Sequence, residues 1–177
     1  MQKLDIINYA LTKLGHRSLP SLEGQEKEAI LANHLYPIVY DEILAMYSWA
    51  IAAKEITLTG VKKEDSWQCT IPDDCLRIIS TTPMNAVKQL GNLLISDAST
   101  LILHYISRDI PTPHWPSQLT ELMATRLAMQ MAESLTQSGA KYGMAMRAFE
   151  RAQARIHSRL LVSVEPRIVT TSSWCDK

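Results

Sequence analysis

Arg147, Arg151, Arg155 and Arg159 recur every four residues near the C-terminal end of the 177-residue chain. On a helix this spacing stacks the guanidiniums along one side, drifting about 40° per step from the 3.6-residue period. Such a stripe could meet phosphates or an acidic protein surface. It is also what a solvated helix face looks like, with the C-terminal dipole favouring Arg155 and Arg159.

The other reactive side chains do not gather. Cys69 and Cys75 lie near Asp73 and Asp74, but a cysteine nucleophile needs a base, and no histidine stands within ten residues of either. They read as small buried hydrophobes. With Cys175 the count is three, and no CxxC pair occurs. That is neither a disulfide framework nor a zinc site, and it fits reduced thiols in a cytosol. His16, His34, His104, His114 and His157 lack metal-ligand spacing and read as surface or capping residues. Asp41 and Glu42 are neighbours in a helical stretch, so they point about 100° apart and do not readily share a site. Pro72-Asp73-Asp74 is turn chemistry. The GxGxxG, P-loop and HExxH patterns are all missing. The sequence assigns no catalytic residue, metal ligand or cofactor, and predicts a protein that is not an enzyme.

Tryptophans at loop or strand-edge positions often anchor interfaces. Trp67, Trp115 and Trp174 lie in such places. Trp115 reads equally as an interface anchor and as local loop packing. Trp174, with Ile168 and Val169, lies in a segment too poor in apolar residues to fold alone, so these three read as partner-binding residues.

Three regions must position these groups. Residues 1–53 are helical: Leu4, Ile7, Leu11 and Leu14 share one face, and Gly15 suits the left-handed residue that ends a helix. A second helix begins near Gln25 or Glu26, with an inner stripe of Ala32, Tyr36, Val39, Ile43, Met46 and Ala50. Pro37 predicts a kink in it rather than a break, because the stripe continues in phase. Residues 54–112 change period to two. Glu55 to Thr59 alternates as a half-buried strand does, residues 62–65 make an exposed turn, and Trp67 to Ile71 alternates again. Leu76 to Ser80 fits a strand or a helical turn, Gly91-Asn92 reads as a hairpin turn, and Thr100 to Ile106 as a further strand. One small antiparallel sheet is predicted. After Pro111, Pro113 and Pro116, helix resumes near Ser117, with a stripe of Leu119, Leu122, Met123, Leu127, Met131 and Leu135. A last helix spans about Lys141 to Leu161, with Ala145, Phe149, Ala152, Ile156 and Leu160 inward. The expected architecture is α+β, mainly α: residues 1–53 and 113–162 form a helical bundle, 54–112 an inserted β-rich lobe, and 163–177 an extended tail.

Composition agrees. Hydrophobic residues make up 46% with one Phe, so the core rests on Leu, Ile, Ala and Met, which suits packed helices. Eighteen basic and eighteen acidic residues give zero net charge, which argues against a dedicated non-specific DNA-binding protein. Lys3 and Asp5 interrupt the only candidate secretory leader, and no stretch reaches membrane-span length. A soluble cytoplasmic protein is expected.

In their order and spacing several blocks are similar to the head-to-tail adaptors of short-tailed bacteriophages, the tail tubular protein A or gatekeeper family. They are Ala10-Leu11-Thr12-Lys13-Leu14-Gly15 with Ser21-Leu22-Glu23; Tyr40-Asp41-Glu42-Ile43-Leu44 followed by Trp49, Ala52, Lys54 and Leu58; and Pro72-Asp73-Asp74-Cys75-Leu76-Arg77. Gly91, Leu94, Asp97, Tyr105-Ile106-Ser107-Arg108, Trp115, Leu127-Ala128 and Leu135-Thr136 complete the match, over about residues 5–137. Two positions depart from it: the family usually has Arg where Tyr40 stands and an aromatic where Ile51 stands. The resemblance implies a virion neck protein, assembled in the host cytoplasm, with no membrane association. It implies a homo-oligomeric ring, typically of twelve copies, that joins the portal protein to the tail tube or nozzle protein. DNA would pass through its channel without sequence-specific binding. The bundle would make ring contacts, the lobe would face the tail, and residues 163–177 would dock on the portal. The competing readings are a small helical nucleic-acid-binding protein using the arginine stripe, and an enzyme with a site the sequence hides.

Overall fold

The computed structural model describes residues 3–83, 87–110 and 115–162, with side chains described as far as His157. The chain is an α+β protein, mainly helical. Among the described residues four helices, α1 (Lys3–Lys13), α2 (Lys27–Met46), α3 (Ser117–Thr136) and α4 (Gly139–Val162), bracket seven strands. These are β1 (Ala53–Thr59), β2 (Val61–Lys63), β3 (Ser66–Thr70), β4 (Cys75–Thr82), β5 (Lys88–Leu90), β6 (Leu93–Ser96) and β7 (Thr100–Ser107).

α1 buries Ile6, Ile7, Ala10 and Leu11, and Gly15 closes it at φ +75°. The Asn8 amide then holds both backbone groups of Leu19, accepting from its N–H at 2.7 Å and donating to its carbonyl at 3.0 Å, which fixes the following loop. α2 starts after Glu26 and runs unbroken through Pro37, which lies on the exposed side. Ala32, Tyr36, Val39 and Ile43 are buried as their spacing predicts, but Met46 and Ala50 are exposed. The helix ends at Met46, and the backbone turns so that Tyr47 and Trp49 enter the core instead, Trp49 Nε1 donating to the Ile43 carbonyl at 3.0 Å.

α3 is the central helix: α1, α2 and α4 all pack on it. From Leu119 to Ala132 only Gln130 is exposed. The apolar stripe is therefore only part of its buried surface. Small residues Ala124, Thr125, Ala128 and Ala132 let neighbours approach from the other sides. Truncating Leu122, fully buried here, to Ala should cost about 2–5 kcal/mol. Gln137, in the left-handed conformation at φ 49°, ends α3, and α4 returns along it with Ala145, Phe149, Ala152 and Ile156 buried.

The strands form two antiparallel sheets rather than the single one expected, ordered β1-β7-β4 and β2-β3-β6-β5. Leu76 to Ser80 is strand, within β4. Residues 61–63, expected mostly as turn, form β2, and only 64–65 turn. The Gly91-Asn92 turn joins β5 to β6, with Gly91 at φ +58°. Cys69, Ile71, Leu94, Leu101, Leu103 and Tyr105 make a small core between the sheets, whereas Ile106 belongs to the helical core. β7 thus serves both cores through its alternating side chains. β1 is exposed along almost its whole length, with Ile56 39% exposed, so the half-buried reading of this strand is corrected. The alternation is present, but only Leu58 of this strand is partly buried, packed against the small core between the sheets.

Among the described residues no helix is long and apolar enough to cross a membrane.

Candidate functional site

Two arrangements bring chemistry-bearing groups together. The first joins the sheet to the helices. Asp74, in the turn closed by the Cys75 N–H on the Pro72 carbonyl at 3.0 Å, accepts from three side chains. Ser107 Oγ donates at 2.6 Å, Lys54 Nζ at 2.9 Å and Tyr105 Oη at 3.2 Å. The Ser107 hydroxyl foremost, then Lys54 and Tyr105, hold the Asp74 carboxyl below its ordinary pKa against the opposing effect of burial. The Asp74 backbone carbonyl also accepts from Arg108 N–H at 2.7 Å. Arg108 then reaches α2, forking onto Asp41 with Nε at 2.9 Å and Nη2 at 2.7 Å. Its carbonyl accepts from Tyr40 Oη at 2.8 Å.

Asp41 and Glu42 diverge as their helical spacing requires. Asp41 faces Arg108 of the sheet region, and Glu42 meets Arg126 of α3 at 2.8 Å. Beside them Tyr36, Tyr40 and Trp115 form a stacked aromatic column, with centroids 6.0 Å and 5.5 Å apart. Burial pushes the phenols of Tyr36 and Tyr40 up to about 12. Trp115 is therefore packed within its own chain, half-buried, and its indole N–H finds no hydrogen-bond partner among the described residues.

The second arrangement is a groove between α1 and α4 across α3, with a volume of about 340 Å³. Ala128 of α3 and Ala148 of α4 line its base side, Lys13, Arg147 and Arg151 bring cations to it, and none of its lining residues is acidic. The arginine stripe splits here. Arg147 and Arg151 are exposed and form no ion pair among the described residues, Arg151 Nε donating only to the Arg147 carbonyl at 3.1 Å. Arg155 pairs with Glu121 of α3 at 3.2 Å. Arg159 lies within α4, and its side chain is outside the described residues, as are Ile168, Val169 and Trp174. Lys13, which sequence reading did not single out, joins the arginines only because α1 packs on the same side of α3. Nothing local to it signals that.

The thiols of Cys69 and Cys75 are not activated. Burial raises the pKa of Cys69, and burial with the nearby Asp74 carboxylate raises that of Cys75. His16 sits against Glu28 at 3.0 Å, His104 against Glu55 at 3.4 Å and His157 near Tyr47 Oη at 3.5 Å. Among the described residues no three His, Cys, Asp or Glu side chains could hold a metal ion.

No protein-family model matches the chain, and no curated protein matches it in sequence.

Proposed function

We propose that this protein is a structural subunit of a head-to-tail adaptor ring of a short-tailed bacteriophage, placed between the portal protein and the tail tube or nozzle protein around the DNA channel. The observation that carries this reading is the spread of large exposed apolar side chains over unlike surfaces. Ile30 and Ile38 on α2 are 55% and 59% exposed, Val61 and Leu90 on the second sheet 67% and 66%, and Met144 on α4 63%. A ring needs such a distribution, because each copy meets its neighbours through two different faces and other proteins through further ones. The motif residues that carry the resemblance add support. Tyr40, Asp41, Lys54, Asp74, Tyr105, Ser107 and Arg108 are scattered in sequence but converge in one bonded junction.

Mixing the purified protein with the portal and imaging the product by electron microscopy tests the reading. A closed ring seated on the portal is expected. A protein that stays monomeric beside the portal would overturn it. Deleting residues 163–177 should leave a folded monomer that no longer docks.

The second reading, a small helical nucleic-acid-binding protein, draws on the exposed cations of Arg147 and Arg151. It predicts DNA affinity that falls steeply with salt and collapses when Arg147 and Arg151 become Glu.

A further inference from the structure

We infer that the groove between α1 and α4 is a docking site for an acidic amphipathic helix of a partner protein. This inference stands on the surface of the single chain and holds whether or not the chain forms a ring. The groove has three helices beneath and beside it, and among the described residues no further element covers them. Ala128, Ala145 and Ala148 leave room for a close approach, and Met144, 63% exposed, offers an apolar contact. Lys13 supplies a cation from one wall, and Arg147 with Arg151 supplies two from the other, about 6 Å apart along the helix axis at 1.5 Å per residue. Two carboxylates one turn apart on an incoming helix share that spacing. An apolar stripe flanked by those carboxylates is the helix-in-groove mode of recognition.

The occupant is neither DNA nor a second copy of this chain. A phosphate backbone would meet the cations but leave the apolar floor uncovered, and the chain carries no net positive charge. A duplex is also far wider than a helix of about 10–12 Å. Within the described helices the acidic residues are Asp5, Glu28, Asp41, Glu42, Glu121, Glu133 and Glu150, and no two of them lie three or four residues apart. A copy of this chain therefore has no described helix with the matching pair.

The test is a titration of the full-length isotope-labelled protein, followed by NMR, with a synthetic helical peptide carrying a Leu/Ala stripe and Glu pairs one turn apart. A peptide with Lys in place of every Glu, and a short DNA duplex, are the comparisons. The Glu peptide should shift the amides of Lys13, Arg147 and Arg151 and their neighbours. In the Arg147→Glu/Arg151→Glu variant its affinity should fall roughly tenfold or more, while that of the Lys peptide rises. Both positions are exposed, so the variant keeps its fold, and a thermal melt verifies this. Absence of binding, equal binding of both peptides, shifts on another face, or tighter binding of DNA than of the Glu peptide would each overturn the proposal.

Discussion

Ser107 Oγ donates to Asp74 Oδ2 at 2.6 Å, and this contact ties the last residue of β7 to the turn that leads into β4. Ser107 is fully buried, and its hydroxyl also accepts from Asp109 N–H at 2.9 Å. The carboxylate therefore organises donors drawn from β1 and β7, and through the Ser107 hydroxyl it reaches the segment beyond.

Ser107→Ala removes the shortest of these bonds and should destabilise the protein by about 1.5–3 kcal/mol. Asp74→Asn should cost a similar amount, since a neutral amide cannot replace a carboxylate facing Lys54, Tyr105 and Ser107. Urea denaturation with an unchanged slope measures both. Midpoints within experimental error of wild type would refute the role assigned to Asp74.

Acid should dissolve the same junction. The Asp74 carboxyl is held below its ordinary 3.8 in the fold, so its contribution to stability is present above that value and is lost as pH falls through the lower folded value. The stability gap between wild type and Asp74→Asn should then narrow as pH drops below about 4. A gap that stays constant across that range contradicts the linkage.

Alkali should act on the aromatic column. Tyr36 and Tyr40 ionise near 12 in the fold against an ordinary 10.0. Between those values the unfolded chain loses protons that the folded one keeps, so the contribution of these two phenols to stability is flat below pH 10 and declines as pH rises towards 12. Replacing Tyr40 with Phe should make the decline shallower, at the cost of the hydrogen bond to the Arg108 carbonyl. Thermal melts over the alkaline range check the slope.

Gly91 separates strain from crowding. A Cβ there would meet nothing within 4 Å, yet φ is +58°. Gly91→Ala should therefore cost about 1–2 kcal/mol from backbone conformation alone. Gly91→Asn should cost less, because Asn tolerates the left-handed region. Equal midpoints for the two variants would show that the turn rearranges.

What was legible in the sequence was local. Gly15, Pro116 and the Gly91-Asn92 turn mark ends and reversals through backbone chemistry that needs no distant partner. The burial of Ile7 and Leu11 on α1, of Leu14 just after it, and of Ala145, Phe149, Ala152 and Ile156 on α4 follows from period alone, although Ile6 and Ala10 are buried too and Leu4 only half so. The divergence of Asp41 and Glu42 was readable for the same reason. Pairing was not readable: β1 joins β7 across the whole insertion, with Ala53 opposite Ile106, and β3 joins β6, which makes two sheets where one was expected. Ile56 alternates correctly but is left 39% exposed.

The candidate site was hidden for a related reason. Asp74 follows a proline in a turn, and that explains its presence without any donor. Lys54, Tyr105 and Ser107 come to it only through strand pairing. Lys13 reaches the arginines only through the packing of α1 and α4 on α3. Period four on one helix reveals a row of charges, but it is silent on which opposite helix supplies the other wall.

The enclosure of α3 bears on how the molecule will tolerate change. A saturation screen for folded protein should show α1 as a rhythm of sensitive and permissive positions, since Asp5, Tyr9, Thr12 and Lys13 face outward between buried neighbours. Across α3 that rhythm should vanish into a nearly continuous block from Leu119 to Ala132, relieved at Gln130. Labels, tags and cross-linkers therefore belong elsewhere, with the exposed turn at residues 64–65 as the least intrusive place to attach them.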